Sequence, residues 1–442
     1  MQKQSVARHV ISNIIPAIVV EIMILIYNLA DTFFIAQTGD PLQIAAVSLA
    51  SPIFMLMITS GIVFMAGGMS CISRSLGADK IDRAKNTASF CVWTGIAAGI
   101  ILAVLFMCFI ETILRTIGAS PETFRLAYSY LSIVIIAAPF CLFSMACSGI
   151  MRAERHASGA MLGQIIGNVL NIILDPIMIL YFGWGITGAA IATTASMIIG
   201  SLYYLGYFLA GRSTLSIHIK HFTAKRGIAR DVFSIGIPAS LDPFLMSVSQ
   251  MFMNSMMSAY GDMAVAAAGV SMRINQIAGL IAMGSGQGAQ PLLGFCVGAQ
   301  DWDRYKAILK FALKFSLSMS FCLMALCYIF TGNIVRVFLT QPEAYSYSVK
   351  FVRILLLTSL TFSVFIMFVN ALQSMGAGRA SLILSISRQC IIYVPIMFLF
   401  NYLFGAYGLM WALPAAEVIS LMQIIIVYGK IIFNPKYLYD AA

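Results

Sequence analysis

Residues 10–36 read VISNIIPAIVVEIMILIYNLADTFFIA. The stretch is apolar except for a few polar side chains, among them Glu21 and Asp31. An α-helix rises about 1.5 Å per residue, and the hydrocarbon core of a bilayer is about 30 Å thick. A helix over these residues is therefore long enough to cross a membrane, and the stretch predicts the first of a series of membrane-spanning helices.

The composition of the whole chain gives the same indication. Of its 442 residues, 60% are hydrophobic and only 10% are charged, with a mean hydropathy of +0.91, whereas soluble domains carry about 25% charged residues. The apolar runs do not alternate with polar residues as the strands of a membrane barrel do. We therefore predict an all-α integral membrane protein, surrounded by a lipid bilayer, with twelve transmembrane helices. They are predicted at about 10–37, 42–71, 87–110, 124–151, 159–181, 185–210, 231–258, 263–295, 307–331, 344–371, 381–402 and 405–429.

Basic residues mark one side of the predicted membrane protein. Alternate loops hold clusters of Lys and Arg, while the opposite loops hold chiefly Arg115 and Arg336. Because basic loops remain in the cytoplasm, both termini and the longest polar stretch, residues 211–230, are predicted to be cytoplasmic. The net charge of +10 is thus a signal of topology, and no nucleic-acid partner is expected.

The two halves of the chain repeat each other. Residues 77–85, GADKIDRAK, correspond to residues 298–306, GAQDWDRYK, and Pro16 corresponds to Pro238 at an offset of 222 residues. Each half has six predicted helices, so both halves enter the membrane from the same side, which makes the repeat parallel. The predicted domains are an N-terminal lobe over residues 1–212, a cytoplasmic linker over 213–230 and a C-terminal lobe over 231–442.

Carboxylates inside the apolar runs are the first candidates for function. A charged group at the bilayer centre costs about 2.5–3.5 kcal/mol even on the insertion scale, and such groups commonly mark ion or substrate sites. Asp31 lies one turn after Tyr27 on the same helix face, and Asp175 lies one turn after Asn171. The further candidates for the same polar site are Asn168, Thr193 and Thr194. These groups suit an oxygen cage for a cation or a proton relay; the alternative is that a nearby Arg neutralises each acid.

The second half carries its own charges inside predicted spans, namely Asp242, Arg273, Arg388 and Glu417. One interpretation is that these four neutralise one another, because unpaired charges in lipid are costly. The other is functional, with Asp242 in a substrate cavity. Glu21 in the first half is a further candidate for the cavity wall.

Motifs of soluble enzymes are missing from the sequence. The glycine-rich residues 284–288, GSGQG, lie inside a predicted span and lack the full dinucleotide-binding pattern. There is no Walker A sequence, which argues against an ATP-driven pump. We therefore predict neither an enzyme nor a bound cofactor.

These motifs together resemble the multidrug and toxic compound extrusion (MATE) transporters, most closely their bacterial MepA-like branch. The matching residues are Pro16, YNLADT at 27–32, ISRSLGA at 72–78, NVLNIILDP at 168–176 and GITGAA at 185–190. The resemblance implies secondary active export of amphiphilic, mainly cationic drugs or metabolites by alternating access, coupled to Na⁺ or H⁺ antiport. A monomer in the bacterial inner membrane is expected.

The same resemblance implies specific roles for residues. It places the coupling-cation site, with Na⁺ as a possible ligand, on Asp31, Asn171, Asp175 and Thr193, and it associates Pro16 with bending of the first helix. The sequence departs from the pattern in its tenth predicted helix, residues 344–371, which lacks the acid that some relatives carry there. That departure argues against a second cation site of this kind in the C-terminal lobe.

The nearest alternative function is a flippase for lipid-linked oligosaccharide or polysaccharide, which has a related two-lobed architecture. A flippase is expected to line its cavity with Arg and Lys that hold pyrophosphate. The acids inside the N-terminal spans instead favour cationic substrates.

Overall fold

The computed structural model describes residues 6–225, 227–339 and 341–434. These residues form helices joined by short loops, with no strand among them. The first six long helices are α1 (Val6–Ala36), α2 (Pro41–Gly77), α3 (Ile81–Ile117), α4 (Pro121–Ala153), α5 (Ala157–Tyr181) and α6 (Gly185–Leu209). The next four are α7 (Ile228–Tyr260), α8 (Asp262–Gly298), α9 (Trp302–Ile329) and α10 (Pro342–Ser374), and a short helix, Thr331–Phe338, lies between the last two.

The last apolar segment, Gly378–Phe433, is two helices. Its 56 residues would extend about 84 Å as one straight helix, far more than a bilayer requires. Gly405 breaks it with φ 60° and ψ −142°, a conformation that glycine adopts readily because it has no Cβ. We number the two parts α11 (378–404) and α12 (406–433). Eleven helical segments of the described chain are long and apolar enough to span a membrane, and this break makes twelve, which confirms the predicted fold class.

Capping residues fix where two of the helices begin. Asp40 accepts a hydrogen bond from the Leu42 N–H at 3.0 Å, and Pro41 opens α2. Ser120 and Pro121 begin α4 in the same way. A polar cap followed by proline satisfies exposed N–H groups and sets the first helical φ angle.

The described residues divide into two compact units. The first unit is Val19–Ser240, and the second combines the described parts of Met1–Ile18 and Leu241–Ala442. The boundary crosses α1 after Ile18 and α7 after Ser240, two positions that are 222 residues apart, as Pro16 and Pro238 are. Each unit therefore takes the first part of one helix from the other half of the sequence. The predicted lobe limits and linker stay a prediction.

Glycines allow these exchanged helix segments to pack closely. In the second unit, a Cβ on Gly284 of α8 would lie 2.6 Å from the Ile18 Cα, and one on Gly288 would lie 2.6 Å from the Ile14 Cα. In the first unit, a Cβ on Gly236 of α7 would lie 2.1 Å from the Val63 carbonyl oxygen. Only glycine permits backbones to approach so closely. The glycine-rich residues of α8 thus serve helix packing.

Each unit has an apolar interior of its own. In the first unit, Leu142 and Cys147 of α4 pack with Cys91 of α3. In the second unit, Phe365 of α10 packs with Leu293 of α8. The polar groups inside these interiors are few, and they are concentrated in two places.

Candidate cation site

Asp175 lies where the regular part of α5 ends. The α-helical hydrogen bonding stops at Asp175, and Pro176–Tyr181 continues as a π-helix. Proline has no N–H and its ring crowds the preceding turn, which explains why the helix changes form at this point. Asp175 is fully buried, so its carboxylate depends on protein groups for stabilisation.

Asn171 connects Asp175 to the neighbouring helix. In the amide orientation that satisfies both neighbours, its nitrogen donates to Asp175 Oδ2 at 3.0 Å and its oxygen accepts from the Thr193 N–H at 3.2 Å. Asn171 and Thr193 are both buried. The amide therefore holds the carboxylate of α5 in a fixed position against α6.

Asp31 of α1 completes a pair of acids with Asp175. The two carboxyl groups interact electrostatically, and Asp31 Oδ1 is buried with no hydrogen-bond partner in the described part of the chain. Among the ion pairs of the described residues, neither acid has a basic partner. The alternative in which an arginine neutralises these acids is therefore not what the structure shows.

Two tyrosines surround the acids. The phenols of Tyr27 on α1 and Tyr130 on α4 both lie within electrostatic range of Asp31 and Asp175 and close to the Thr193 hydroxyl. Carboxylate and hydroxyl oxygens are the ligands that hard cations prefer, and acids in such surroundings also carry protons. The arrangement fits either Na⁺ or H⁺.

A cavity of about 210 Å³ adjoins these groups inside the first unit. Four predicted site residues line it, namely Tyr27, Asn168, Asn171 and Thr193. The rest of the wall mixes apolar side chains such as Phe54 and Met145 with small polar ones. A water molecule occupies about 30 Å³ in the liquid, so the cavity has room for several waters or for part of a larger molecule.

The second concentration of polar groups lies in the second unit. Arg388 of α11 donates from Nη1 to Glu417 Oε1 at 3.0 Å and from Nη2 to both carboxylate oxygens of Asp242 at 3.3 Å. We call these three residues the charge cluster. The interpretation that the second half's charges neutralise one another thus holds for three of four residues, because Arg273 is exposed and has no ion pair among the described residues.

Comparison with protein families decides the identity of the chain. The sequence model of the MatE family matches residues 16–177 and matches again at residues 238–399. The chain belongs to the MATE family. The two matches have the offset of the predicted repeat, and a MATE chain is a membrane transporter and not an enzyme, as the sequence predicted.

Individual relatives cover nearly the whole of this MATE chain. It is 30% identical to multidrug export protein MepA of Staphylococcus aureus strain MSSA476 over 429 residues, which are 97% of this chain and 94% of that protein. An outward-facing structure of a multidrug resistance MATE family transporter of the MOP superfamily superposes with a TM-score of 0.93 at 25% identity, covering 98% of this chain and 97% of that one. A MOP superfamily transporter from Pyrococcus furiosus Vc1, whose reversed pocket polarity suggests a different function, gives 0.90 at 25% identity, covering 97% of each chain. The predicted MepA-like resemblance is confirmed.

Three predicted residues of this MATE transporter lie away from the acid pair. Glu21 is buried and interacts electrostatically with Arg152 of α4, and it does not line the cavity described above. Asp242 belongs to the charge cluster. Pro16 lies in the second unit, and α1 runs through it without interruption.

Sequence reasoning missed Tyr130. It belongs to no short motif, and only the packing of α4 brings it to Asp31 and Asp175. The internal repeat contains a weak signal, because the position 221 residues later is Phe351, an aromatic ring without the hydroxyl. A phenol in one half opposite a phenyl ring in the other indicates a polar role for the first.

Proposed function

We propose that this MATE transporter exports several drugs, mainly amphiphilic cations, in exchange for Na⁺ or H⁺ across the inner membrane of a bacterium. Its similarity to MepA over 97% of the chain supports multidrug export. The basic loops support cytoplasmic termini and hence the direction of transport. A single chain with two lobes is sufficient for alternating access.

The acid pair supports coupling to a cation. Asp31 and Asp175 lie close together without a basic partner among the described residues. Burial of an uncompensated charge is very costly, so a buried acid takes up a proton or a cation. The pair therefore binds the coupling ion and releases it when its surroundings become hydrated.

The shared lining of site and cavity supports exchange. Tyr27, Asn171 and Thr193 line the cavity and also surround the acids. A cationic compound in the cavity and a coupling ion on the acids repel each other, so each lowers the affinity for the other. Such negative coupling is what antiport requires.

Charge around the cavity argues against the flippase alternative. None of the described residues that line it is Lys or Arg, whereas a pyrophosphate group requires such residues. The buried Arg388 in the second unit is already paired with two acids.

Transport in proteoliposomes tests this function. The purified protein is reconstituted, Na⁺ and pH gradients are imposed one at a time, and uptake of a fluorescent lipophilic cation is followed. We expect one of the two gradients to drive accumulation, and we expect unlabelled lipophilic cations to compete better than anions of the same size. Accumulation that needs neither gradient, or competition by anions alone, would contradict the proposal and favour the flippase.

A further inference from the structure

The charge cluster of the second unit has more acid than base. Asp242 and Glu417 face the single guanidinium of Arg388, so the cluster carries a net charge of −1 when all three groups are ionised. Glu417 Oε2 is buried and has no hydrogen-bond partner among the described residues. A buried cluster with one uncompensated negative charge attracts a further cation.

The cluster does not copy the acid pair of the first unit. The repeat places Met253 opposite Asp31 and Phe351 opposite Tyr130. Both residues are fully buried in an apolar core. The second unit thus lacks the polar site of the first at the corresponding position, and the acids of the charge cluster serve another purpose.

The two ion pairs of Arg388 differ in strength. Its bond to Glu417 is 3.0 Å long, and the Glu417 side chain is 6% exposed. Its bonds to Asp242 are both 3.3 Å, and that side chain is 18% exposed. Charge-assisted N–H···O bonds are typically about 2.7–2.9 Å, and exposure weakens an ion pair. Asp242 is therefore the acid that Arg388 releases more easily.

Aromatic rings complete the surroundings of the guanidinium. Its centre lies 4.8 Å from the ring centroid of Phe365 and 5.5 Å from that of Phe362. Cations within about 6 Å of a ring face are attracted to it, and quaternary ammonium groups are bound in this way. A carboxylate beside two rings is a suitable site for a lipophilic cation, and Arg388 occupies it.

We propose that the charge cluster is a substrate-recognition site in which Arg388 is a built-in competitor. The cationic head of a transported compound displaces the guanidinium from Asp242, while Arg388 keeps its bond to Glu417. Neutral and anionic compounds cannot replace the guanidinium at a carboxylate, so the exchange selects for cations. The inference rests on the proposed export of cations and assigns their recognition to Asp242 and Arg388.

Equilibrium binding of tetraphenylphosphonium to the purified full-length protein tests this inference, with triphenylphosphine oxide as the neutral control. Asp242→Asn leaves the Arg388–Glu417 pair balanced, and we expect it to weaken binding of the cation about tenfold without changing binding of the neutral compound; Asp242→Glu should restore it. The double variant Arg388→Gln with Glu417→Gln removes the competitor and its buried partner together. We expect that variant to bind the cation about tenfold more tightly, and we expect adding Asp242→Asn to abolish the gain.

Two results would overturn the inference. One is wild-type affinity for the cation in Asp242→Asn. The other is a monodisperse double variant that binds the cation no more tightly than the wild type. Because binding is measured without a gradient, failure of ion coupling in proteoliposomes leaves these results interpretable, and failure here leaves the coupling assay unaffected.

Discussion

Asn171 determines the geometry of the acid pair at the scale of single residues. Its amide donates to Asp175 and accepts from the Thr193 N–H, so one side chain fixes a carboxylate against a second helix. A hydrogen bond to a charged group contributes about 1.5–3 kcal/mol. The amide therefore affects ion affinity without supplying the charge itself.

Asn171→Ala should accordingly weaken gradient-driven export without abolishing it. We expect the concentration of coupling ion for half-maximal drug flux to rise about tenfold, because Asp175 loses one bond but keeps its charge. Thr193→Ala should have a smaller or similar effect. The measurement is drug flux at a series of ion concentrations, with Asn254→Ala, which changes an exposed amide on α7, as the control. Unchanged ion dependence in Asn171→Ala would show that the amide does not support the site.

Local spacing explains which site residues the sequence could reveal. Tyr27 with Asp31, and Asn171 with Asp175, are separated by one helical turn, and helix geometry alone places each pair on one face. Tyr130 and the partners of Arg388 are brought together by packing between distant helices. No periodicity encodes those contacts, so the sequence gave candidates for the charge cluster but not its pairing.

Proline and glycine act at the scale of whole helices. Gly185 and Gly405 were landmarks of the sequence repeat, and both have positive φ angles, 51° and 60°. Each lies at the start of the last helix of its half, where the chain reverses. The repeat was therefore readable because the same backbone conformation requires glycine twice.

Pro16 belongs to the part of α1 that packs in the second unit, while Asp31 belongs to the part in the first. Proline removes one backbone hydrogen bond and makes a helix easier to bend. Pro16→Ala should therefore lower the maximal rate of drug flux several-fold while leaving thermal stability equal or higher. Flux at saturating drug and the Tm of the purified protein measure the two effects, and Pro52→Ala in α2 is the matched control. Wild-type flux in Pro16→Ala would indicate that the proline is only tolerated.

Charge distribution determines orientation at the scale of the whole molecule. The segment after α6 holds many of the basic residues, yet it is not a loose tether. The Glu154 carboxylate accepts from the Thr214 and Leu215 N–H groups at 2.9 and 3.0 Å, and the Trp93 indole donates to the Ile217 carbonyl at 3.0 Å. These contacts hold the segment on the first unit.

Labelling of single cysteines tests the predicted topology. Lys220→Cys, at an exposed position of this segment, should react with an impermeant reagent only after the membrane is opened. Glu122→Cys, exposed at the start of α4, should react in intact cells. The expectation follows from retention of basic loops in the cytoplasm. Reaction at residue 220 in intact cells would reverse the topology.

Composition and repeat were sufficient to predict twelve helices in two halves, because apolar length and charge are written along the chain. The division into compact units was not predictable in the same way. Its boundary falls inside α1 and α7, where the hydrophobic pattern continues without change. Close contacts such as Gly284 with Ile18 decide it, and they join residues far apart in sequence.

Gradient-driven drug flux in proteoliposomes containing Asp31→Asn or Asp175→Asn tests the central claim most directly. Asparagine nearly matches aspartate in shape and is less costly to bury, so both variants should be produced normally, as should the control Asp262→Asn at an exposed position. We predict that each site variant loses flux driven by an imposed Na⁺ or pH gradient, while the control retains it. Normal gradient-driven flux in both site variants would contradict the account and exclude the acid pair as the coupling site.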